Sequence, residues 1–177
     1  MKRYTIAATG HRPDKLFGYD LYDPRWQALG RKMKEFIINK SNWYGPITCI
    51  SGMALGVDQL FALVALKLRD TGYNIKVIAA LPCFNQNKKW KDDSYWKNIM
   101  DRVDEKVFVH EGEYVPWCMQ KRNEWMVDNA DEILAVWDGT NGGTSNCIKY
   151  AEKQNKEVYN IYSEFNRTLM FAEMNLQ

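Results

Sequence analysis

The chain of 177 residues fits one domain and is long enough to bury a substantial core. Its apolar fraction of 46% excludes an extended disordered chain, and its formal charge of +2 argues against a polyanion-coating protein, although a local basic patch stays open. Four scattered cysteines, only two histidines and the lack of a long apolar run or signal-like N-terminus predict reduced thiols, no metal, no membrane and a cytoplasmic location.

Six short runs rich in branched residues and flanked by Gly or Pro predict β-strands. In chain order they cover residues 4–9, 47–51, 75–81, 106–109, 132–137 and 158–162. Helical patterns lie between them, and the segment 57–68 is apolar nearly all round, which predicts a deeply buried helix. The other helices are predicted on the apolar face Trp26, Leu29, Met33, Phe36 and Ile37, after Lys89, near Pro116, and from Gly142-Gly143 towards Gln154. This alternation predicts an α/β fold in one domain, residues 1–177, with a mostly parallel sheet and helices on both faces.

In such sheets ligands bind beyond the carboxyl ends of the strands, and three glycine-containing turns fall there. The first turn follows strand one and reads Thr9-Gly10-His11-Arg12-Pro13. Gly10 would let the backbone approach a ligand, and Arg12 offers forked donors for phosphate or carboxylate. The alternative is a polar turn with a solvated arginine, and His11 is open as a base, a hydrogen-bond donor or a turn residue.

The second turn follows strand two, covers residues 51–58 and opens the apolar helix. Its candidate ligand contacts are Ser51, Gly52, Met53, Gly56 and Asp58. Free amides at a helix start attract anions, which favours a ligand at the glycines. Asp58 is a candidate ligand contact, but a carboxylate in the first turn of a helix is also a common capping residue without a ligand.

The third turn follows strand five and places an acid, three glycines and hydroxyl side chains just before a helix. Its candidate contacts are Asp138, Gly139, Thr140, Gly142, Gly143 and Thr144. Backbone amides and hydroxyls there can cradle a phosphate. The loop lacks the lysine of a P-loop and the spacing of a dinucleotide fingerprint, and a flexible loop is the alternative.

Two further side chains belong to the candidate site. Arg122 lies on an otherwise apolar helical stripe, so its guanidinium must snorkel, pair with an acid or reach a ligand. Gln86 follows strand three, where it could read the edge of a base while Phe84 or Trp90 stacks on that base. Both aromatic rings could equally pack under the next helix.

The ordered set of motifs resembles the SLOG superfamily of Rossmann-like domains, named for the DNA-processing protein Smf/DprA and the LOG proteins. The similarity is greatest to its YpsA/YoqJ-like branch, the DUF1273 family of bacteria and phages. The matching pieces are TGHRP at 9–13, SGMALGVDQ at 51–59, PCFNQ at 82–86, KRNEWMVDNAD at 121–131 and DGTNGGT at 138–144. The resemblance implies a three-layer Rossmann-like sandwich, a nucleotide-related ligand at the strand ends and a homo-oligomer.

The LOG reaction carries over incompletely. Arg122 matches the arginine of LOG-type phosphoribohydrolases, and Gly142-Gly143-Thr144 resembles their glycine–threonine loop. The slot of their catalytic glutamate is Cys147, so hydrolysis would need another carboxylate, such as Asp58 or Asp138.

The leading hypothesis is therefore binding, without catalysis and without a cofactor, of a nucleotide or a nucleotide-derived signal such as a cyclic nucleotide or an ADP-ribose-like molecule, in a sensing or sequestering role. Cleavage of an N-glycosidic bond is the enzymatic alternative. A third hypothesis is single-stranded nucleic-acid binding, which the near-neutral charge disfavours.

Overall fold

The computed structural model describes residues 2–167, and all six predicted strands are present in it. The strands are β1 Tyr4–Gly10, β2 Ile47–Ser51, β3 Ile75–Leu81, β4 Glu105–Phe108, β5 Glu132–Val136 and β6 Glu157–Asn160. Every pairing between neighbouring strands is parallel, and the strand order is β4-β3-β2-β1-β5-β6. The interior strands β2 and β5 are buried along their whole length, as expected for a parallel sheet covered on both faces.

Five α-helices and one short 3-10 turn connect the strands. They are the 3-10 turn Pro13–Lys15, α1 Pro24–Tyr44, α2 Val57–Asp70, α3 Ser94–Met100, α4 Cys118–Asp128 and α5 Gly143–Lys153. The predicted apolar faces of α1 and α2 are buried. No helix among residues 2–167 is long and apolar enough to cross a membrane.

Several boundaries differ from the sequence-based expectation, and two of these differences have a visible local cause. Helix α3 starts at Ser94 rather than directly after Lys89, because residues 84–89 form turns and the Ser94 amide donates to the Asp92 carboxylate at 2.8 Å. Strand β6 ends at Asn160, two residues early. The Asn160 side chain bonds both the amide and the carbonyl of Trp137, at 3.1 and 2.8 Å, so a side chain replaces the backbone ladder there.

The core divides into two layers, one on each face of the sheet. Helices α1, α2 and α3 pack on one face around buried residues such as Phe61, and α4 and α5 pack on the other around residues such as Met126. This three-layer α/β arrangement confirms the predicted Rossmann-like class. The chain runs from β1 outward to β4 and then crosses to β5 on the other side of β1, so the order of strands reverses between β1 and β5. Ligands of open α/β sheets bind in the crevice at such a point.

Candidate functional site

The sheet order places the three glycine-containing turns side by side. They follow β2, β1 and β5, which are neighbours in the sheet, and parallel strands end at the same edge. The loop that carries Gln86 follows the next strand, β3. The predicted residues therefore meet at one edge of the molecule.

The first two turns pack directly on each other. A Cβ atom on Gly10 would lie 2.5 Å from Val57 Cγ1, and one on Gly56 would lie 2.9 Å from the carbonyl oxygen of His11. Gly56 also has a φ of 93°, which an L side chain rarely adopts. The protein itself fills the space over these glycines, so here they permit contact between two turns rather than the approach of a ligand.

A buried ion pair joins the second turn to helix α4. Arg122 Nη1 donates to the carbonyl oxygen of Gly52 and lies 3.6 Å from Asp58 Oδ2. Both charged side chains are more than nine-tenths buried. Of the three alternatives for Arg122, the structure shows pairing with an acid. Because α4 and α2 cover opposite faces of the sheet, this pair ties the two layers together around the end of β2.

Burial raises the pKa of Asp58, while the nearby Arg122 guanidinium and the hydrogen bond from the Ala54 amide oppose that rise. The Ala54 amide donates to Asp58 Oδ2 at 3.3 Å, which is a contact within the turn. Ser51 and Met53 are also internal to the turn: the Ser51 hydroxyl donates to the Asp58 carbonyl at 2.7 Å and accepts from the Met53 amide at 3.1 Å. The polar groups in this half of the candidate site are mostly engaged in hydrogen bonds with one another.

Gln86 extends the same cluster from the loop after β3. Its Nε2 donates to the Gly52 carbonyl at 2.9 Å, so the side chain holds the second turn instead of presenting its amide nitrogen to a base. Its Oε1 is buried without a hydrogen-bond partner among residues 2–167. A buried acceptor of this kind is costly unless a ligand or water satisfies it.

The first and third turns are linked across the β1–β5 crevice. His11 Nε2 and Asp138 Oδ1 are 2.6 Å apart, and His11 is only 4% exposed. Asp138 Oδ1 also accepts from the amide and hydroxyl of Thr140, at 2.9 and 2.7 Å. The hydrogen bonds from Thr140, followed by the one from His11, hold the pKa of Asp138 well below its usual range. Asp138 is therefore an ionised carboxylate that shapes the third turn.

Helix α5 begins in the third turn with open space around its first residues. Gly142 is its N-cap, Gly143 is its first residue, and a Cβ atom on Gly139 or Gly143 would meet nothing within 4 Å among the described residues. Thr144 and Ser145 are buried in the first turn, and the Ser145 hydroxyl has no partner among residues 2–167. Accessible amides at a helix N-terminus form an anion-binding geometry.

A lysine that the sequence did not single out completes this corner. Lys15 Nζ, at the end of the 3-10 turn, lies 3.4 Å from both Thr140 Oγ1 and the Asn141 carbonyl oxygen. The ammonium group therefore stands beside the start of α5, where it supplies the cation that the third turn lacks in its own sequence. In the sequence, Lys15 is marked only by its position shortly after Pro13 and strand one. Its contact with residues 140–141 could not be predicted, because those residues are distant in the chain.

The slot of the LOG glutamate holds a buried thiol. Cys147 is 1% exposed, and burial raises its pKa to about 11 although the Thr9 hydroxyl and Arg122 act in the opposite direction. A neutral thiol cannot replace a carboxylate as a base or a nucleophile at neutral pH. Thr9 is buried beside it and lies inside the protein rather than on the open edge.

A groove with a volume of about 1830 Å³ opens next to this edge. Of the predicted site residues it is lined by Arg12, Gly56 and Gln86, but not by the Asp138–Thr144 loop. Trp90 lines the groove and makes an edge-to-face contact with Trp96, while Phe84 is exposed outside it and packs on Phe108. The candidate site thus has two parts, the start of α5 with Lys15 beside it and an elongated groove on the other side of Arg12.

Comparison with known proteins identifies the family. The sequence profile of the YspA SLOG family matches residues 6–167. The chain is 36% identical over 147 residues to the SPbeta prophage-derived protein YoqJ of Bacillus subtilis, covering 75% of this chain and 84% of that protein. It is 27% identical over 176 residues to a UPF0398 protein of Bacillus thuringiensis, covering 96% and 91% of the two chains.

Solved structures agree on the fold. DNA processing protein A of Streptococcus pneumoniae superposes with a TM-score of 0.64 at 12% identity, covering 89% of this chain and 50% of that one. DNA processing protein A of Helicobacter pylori, whose structure is described as showing a single-stranded DNA binding mode, gives a TM-score of 0.59 at 17% identity. The match covers 88% of this chain and 63% of that one. This chain therefore spans only about half to two thirds of these proteins. The profile match and the YoqJ identity show that the chain belongs to the YspA SLOG family.

Proposed function

We propose that the protein binds a phosphate-bearing nucleotide, or a molecule derived from one, at the carboxyl edge of its sheet. The observation that carries the proposal is the open N-terminus of α5 with the Lys15 ammonium group beside it. A helix start and a cation together favour an anion more than either does alone. The single-stranded DNA described for the Helicobacter pylori protein supports a nucleotide-containing ligand for this fold.

In this proposal the phosphate contacts the amides of Gly142, Gly143 and Thr144 and the ammonium group of Lys15. Arg12 is exposed at the beginning of the 3-10 turn and is available for a second anionic group. The remaining predicted residues of the first two turns hold these groups in position through the contacts between Gly10 and Val57 and between Arg122 and Gly52. The side-chain contacts of Asp138 with Thr140 and His11 all involve Oδ1, so a ribose hydroxyl would bind to Oδ2.

The ligand is bound and not hydrolysed in this proposal. Asp58 is buried in its ion pair with Arg122, away from the open edge, and Asp138 is held ionised by its hydrogen bonds, so neither carboxyl group is placed to act as a general acid on a ligand there. Cys147 replaces the LOG glutamate. We expect no free base after long incubation of the protein with nucleoside monophosphates or NAD, measured by chromatography. Released base whose amount falls in Asp138→Asn would establish the enzymatic alternative instead.

Calorimetric titration with a panel of nucleotides and the matching nucleosides tests the binding. The panel contains nucleoside mono- and diphosphates, cyclic nucleotides and ADP-ribose. We expect binding of at least one phosphate-bearing member and a loss of about fivefold in Lys15→Ala, since an exposed charge contact contributes up to about 1 kcal/mol. Nucleosides without phosphate should not respond to Lys15→Ala.

The matched control is Lys153→Ala, which removes the same charge from the last turn of α5, at the end of that helix far from Lys15. Equal weakening by both variants would reduce the effect to net charge and remove the α5 site. Absence of binding to every member at about millimolar concentration would overturn the proposal.

A cytoplasmic location and a homo-oligomer stay predictions, and the four free cysteines support a reducing compartment.

A further inference from the structure

The large groove runs along helix α2, and we call it the α2 groove. Its floor is the outer side of α2, with Leu60, Leu63 and Val64, and its lining extends from Gly56 to Thr71. At a rise of about 1.5 Å per residue, the helix gives the groove a length of about 20 Å. One wall comes from residues 19–34 and the other from residues 85–95, together with Tyr114 and Met119.

The α2 groove is strongly basic although the whole chain is nearly neutral. It contains seven of the 24 Lys and Arg residues but only two of the 22 acidic residues, a local charge of +5 against +2 for the chain. The basic residues are Arg12, Arg31, Lys34, Lys67, Lys88, Lys89 and Lys91. Within residues 2–167, Arg31, Lys34, Lys67 and Lys89 have no acidic side chain within 4.0 Å.

The two acidic residues of the groove are already engaged. Asp70 accepts from Arg102 at 2.5 Å, and Asp92 accepts from the Ser94 amide at 2.8 Å. Asp92 keeps its negative charge in that bond, and with both acidic residues counted the groove still carries a net charge of +5. Unpaired cations gathered on an apolar floor indicate a partner that is anionic along its length and apolar in part.

Exposed aromatic rings line the same groove. Tyr19, Tyr22, Tyr95 and Tyr114 are 65%, 86%, 42% and 55% exposed. Flat rings interleaved with cations suit bases that stack and phosphates that pair, which is how single-stranded nucleic acid is held without sequence readout. An acidic peptide would use the cations but not the rings, and a duplex hides its base faces in its own stack.

We propose that the α2 groove binds a single-stranded nucleic acid, with phosphates on its lysines and arginines and bases on its tyrosines. The inference rests on the proposed function in one respect: the groove begins at Arg12, and Lys15 lies three residues further along the same 3-10 turn, so one end of the strand reaches the phosphate site at α5. The rest of the nucleic acid lies in the α2 groove, and its binding there does not depend on the α5 site.

The test of the charges is fluorescence anisotropy with a labelled oligothymidine of about twelve nucleotides, within the usual range of single-strand site sizes. For the wild type we expect log K to fall with log salt by about 0.7 for each phosphate neutralised. The double variant Lys67→Glu/Lys89→Glu should bind at least about tenfold more weakly and with a flatter slope. The matched control, Lys106→Glu/Lys153→Glu, changes the same charge at exposed positions that do not line the groove.

The test of the rings is Tyr22→Ala, with Trp43→Ala as the control. Both side chains are almost fully exposed, at 86% and 84%, so neither substitution should affect folding, but only Tyr22 lines the groove. Loss of one stacked base should weaken oligothymidine binding by about fivefold or more in Tyr22→Ala and leave Trp43→Ala unchanged.

The outcomes separate the two proposals. If the groove variants bind oligothymidine like their controls, or if no oligothymidine binds, the α2 groove inference is wrong whatever the mononucleotide titration gives. If the groove variants lose oligothymidine while no mononucleotide binds the wild type, the α5 phosphate site is wrong and the groove stands. Equal binding of a duplex, or displacement by poly-glutamate together with an unchanged Tyr22→Ala, would replace the stacking strand with a general polyanion and overturn the inference.

Discussion

At the scale of single residues, the glycines of the site serve mainly to let other groups come close. The sequence predicted Gly52 from its place at a helix start, as a supplier of free amides. In the structure Arg122 lies directly over it, and a Cβ atom on Gly52 would be 1.8 Å from Nη1. That requirement comes from α4, 70 residues further along the chain. Local sequence could mark the glycine but could not give this reason.

We expect Gly52→Ala to lower the free energy of unfolding by about 1–3 kcal/mol, because the added methyl group must displace a buried guanidinium. Urea denaturation with a fixed m-value measures it. Gly143→Ala is the control, since open space surrounds its Cβ position and its stability should stay within about 0.5 kcal/mol of the wild type. Equal stability of Gly52→Ala and the wild type would mean that Arg122 does not occupy this place.

Arg122 was left between three roles by its sequence pattern, and pairing with Asp58 is the one observed. Removing it in Arg122→Ala leaves a buried carboxylate alone, so we expect a loss of about 3–5 kcal/mol near neutral pH. Burial raises the pKa of Asp58 above its usual 3.8, and without Arg122 the pKa rises further. The folded state of this variant then keeps the Asp58 proton up to a higher pH than the unfolded state does. The free energy of unfolding must therefore fall as the pH increases from about 4.

Denaturation of Arg122→Ala at several pH values between about 4 and 8 shows whether its free energy of unfolding falls as the pH increases. The loss should be smallest at the acid end and should largely disappear in Arg122→Ala/Asp58→Asn, where no charge is left unpaired. A loss of the same size at every pH would assign it to packing alone.

At the scale of secondary-structure elements, the sequence was reliable for β-strands and buried helices. The runs at 47–51 and 75–81 match β2 and β3 residue for residue, because short branched segments between turn residues have no competing helical interpretation. The loops were less predictable. The 3-10 turn Pro13–Lys15 was not foreseen, and with it Lys15 was missed, since short turns depend on packing against distant residues.

The third turn is held in shape by Asp138, and its dynamics should show this. We expect Asp138→Ala to accelerate amide hydrogen exchange of Thr140 by about fivefold, because the hydrogen bond from its amide is lost at a partly exposed site. Exchange in β2 is the internal control and should not change. Unaltered exchange of the third turn would show that Thr140 is protected by other means.

At the scale of the whole molecule, the net charge does not describe how the charges are distributed over the surface. A value of +2 disfavoured nucleic acid at the sequence level, yet seven cations and two acids meet in the α2 groove. Its walls come from segments that are far apart in sequence, partly irregular, and brought together only by the sheet. The sequence could predict the sheet, its layers and the edge where the turns meet, but not a groove made by the surfaces of these segments.

The whole fold also buries all four cysteines as free thiols. Burial raises the pKa of Cys49 far above its usual range and that of Cys147 to about 11. We expect a thiol reagent to modify less than one group per native chain within minutes, and all four after denaturation, measured by absorbance. Rapid reaction of the native protein would mean that a layer of the sheet opens readily.

The bond between Arg122 and the β2–α2 turn has a consequence for how this chain can diverge. Positions 52, 58 and 122 share one small volume and one pair of opposite charges, so a change at any of them alters what the other two can be. A homologue that lost the arginine would gain room for a side chain at position 52 and would have no use for an acid at position 58. We therefore expect the residues at these three positions to change together among homologues.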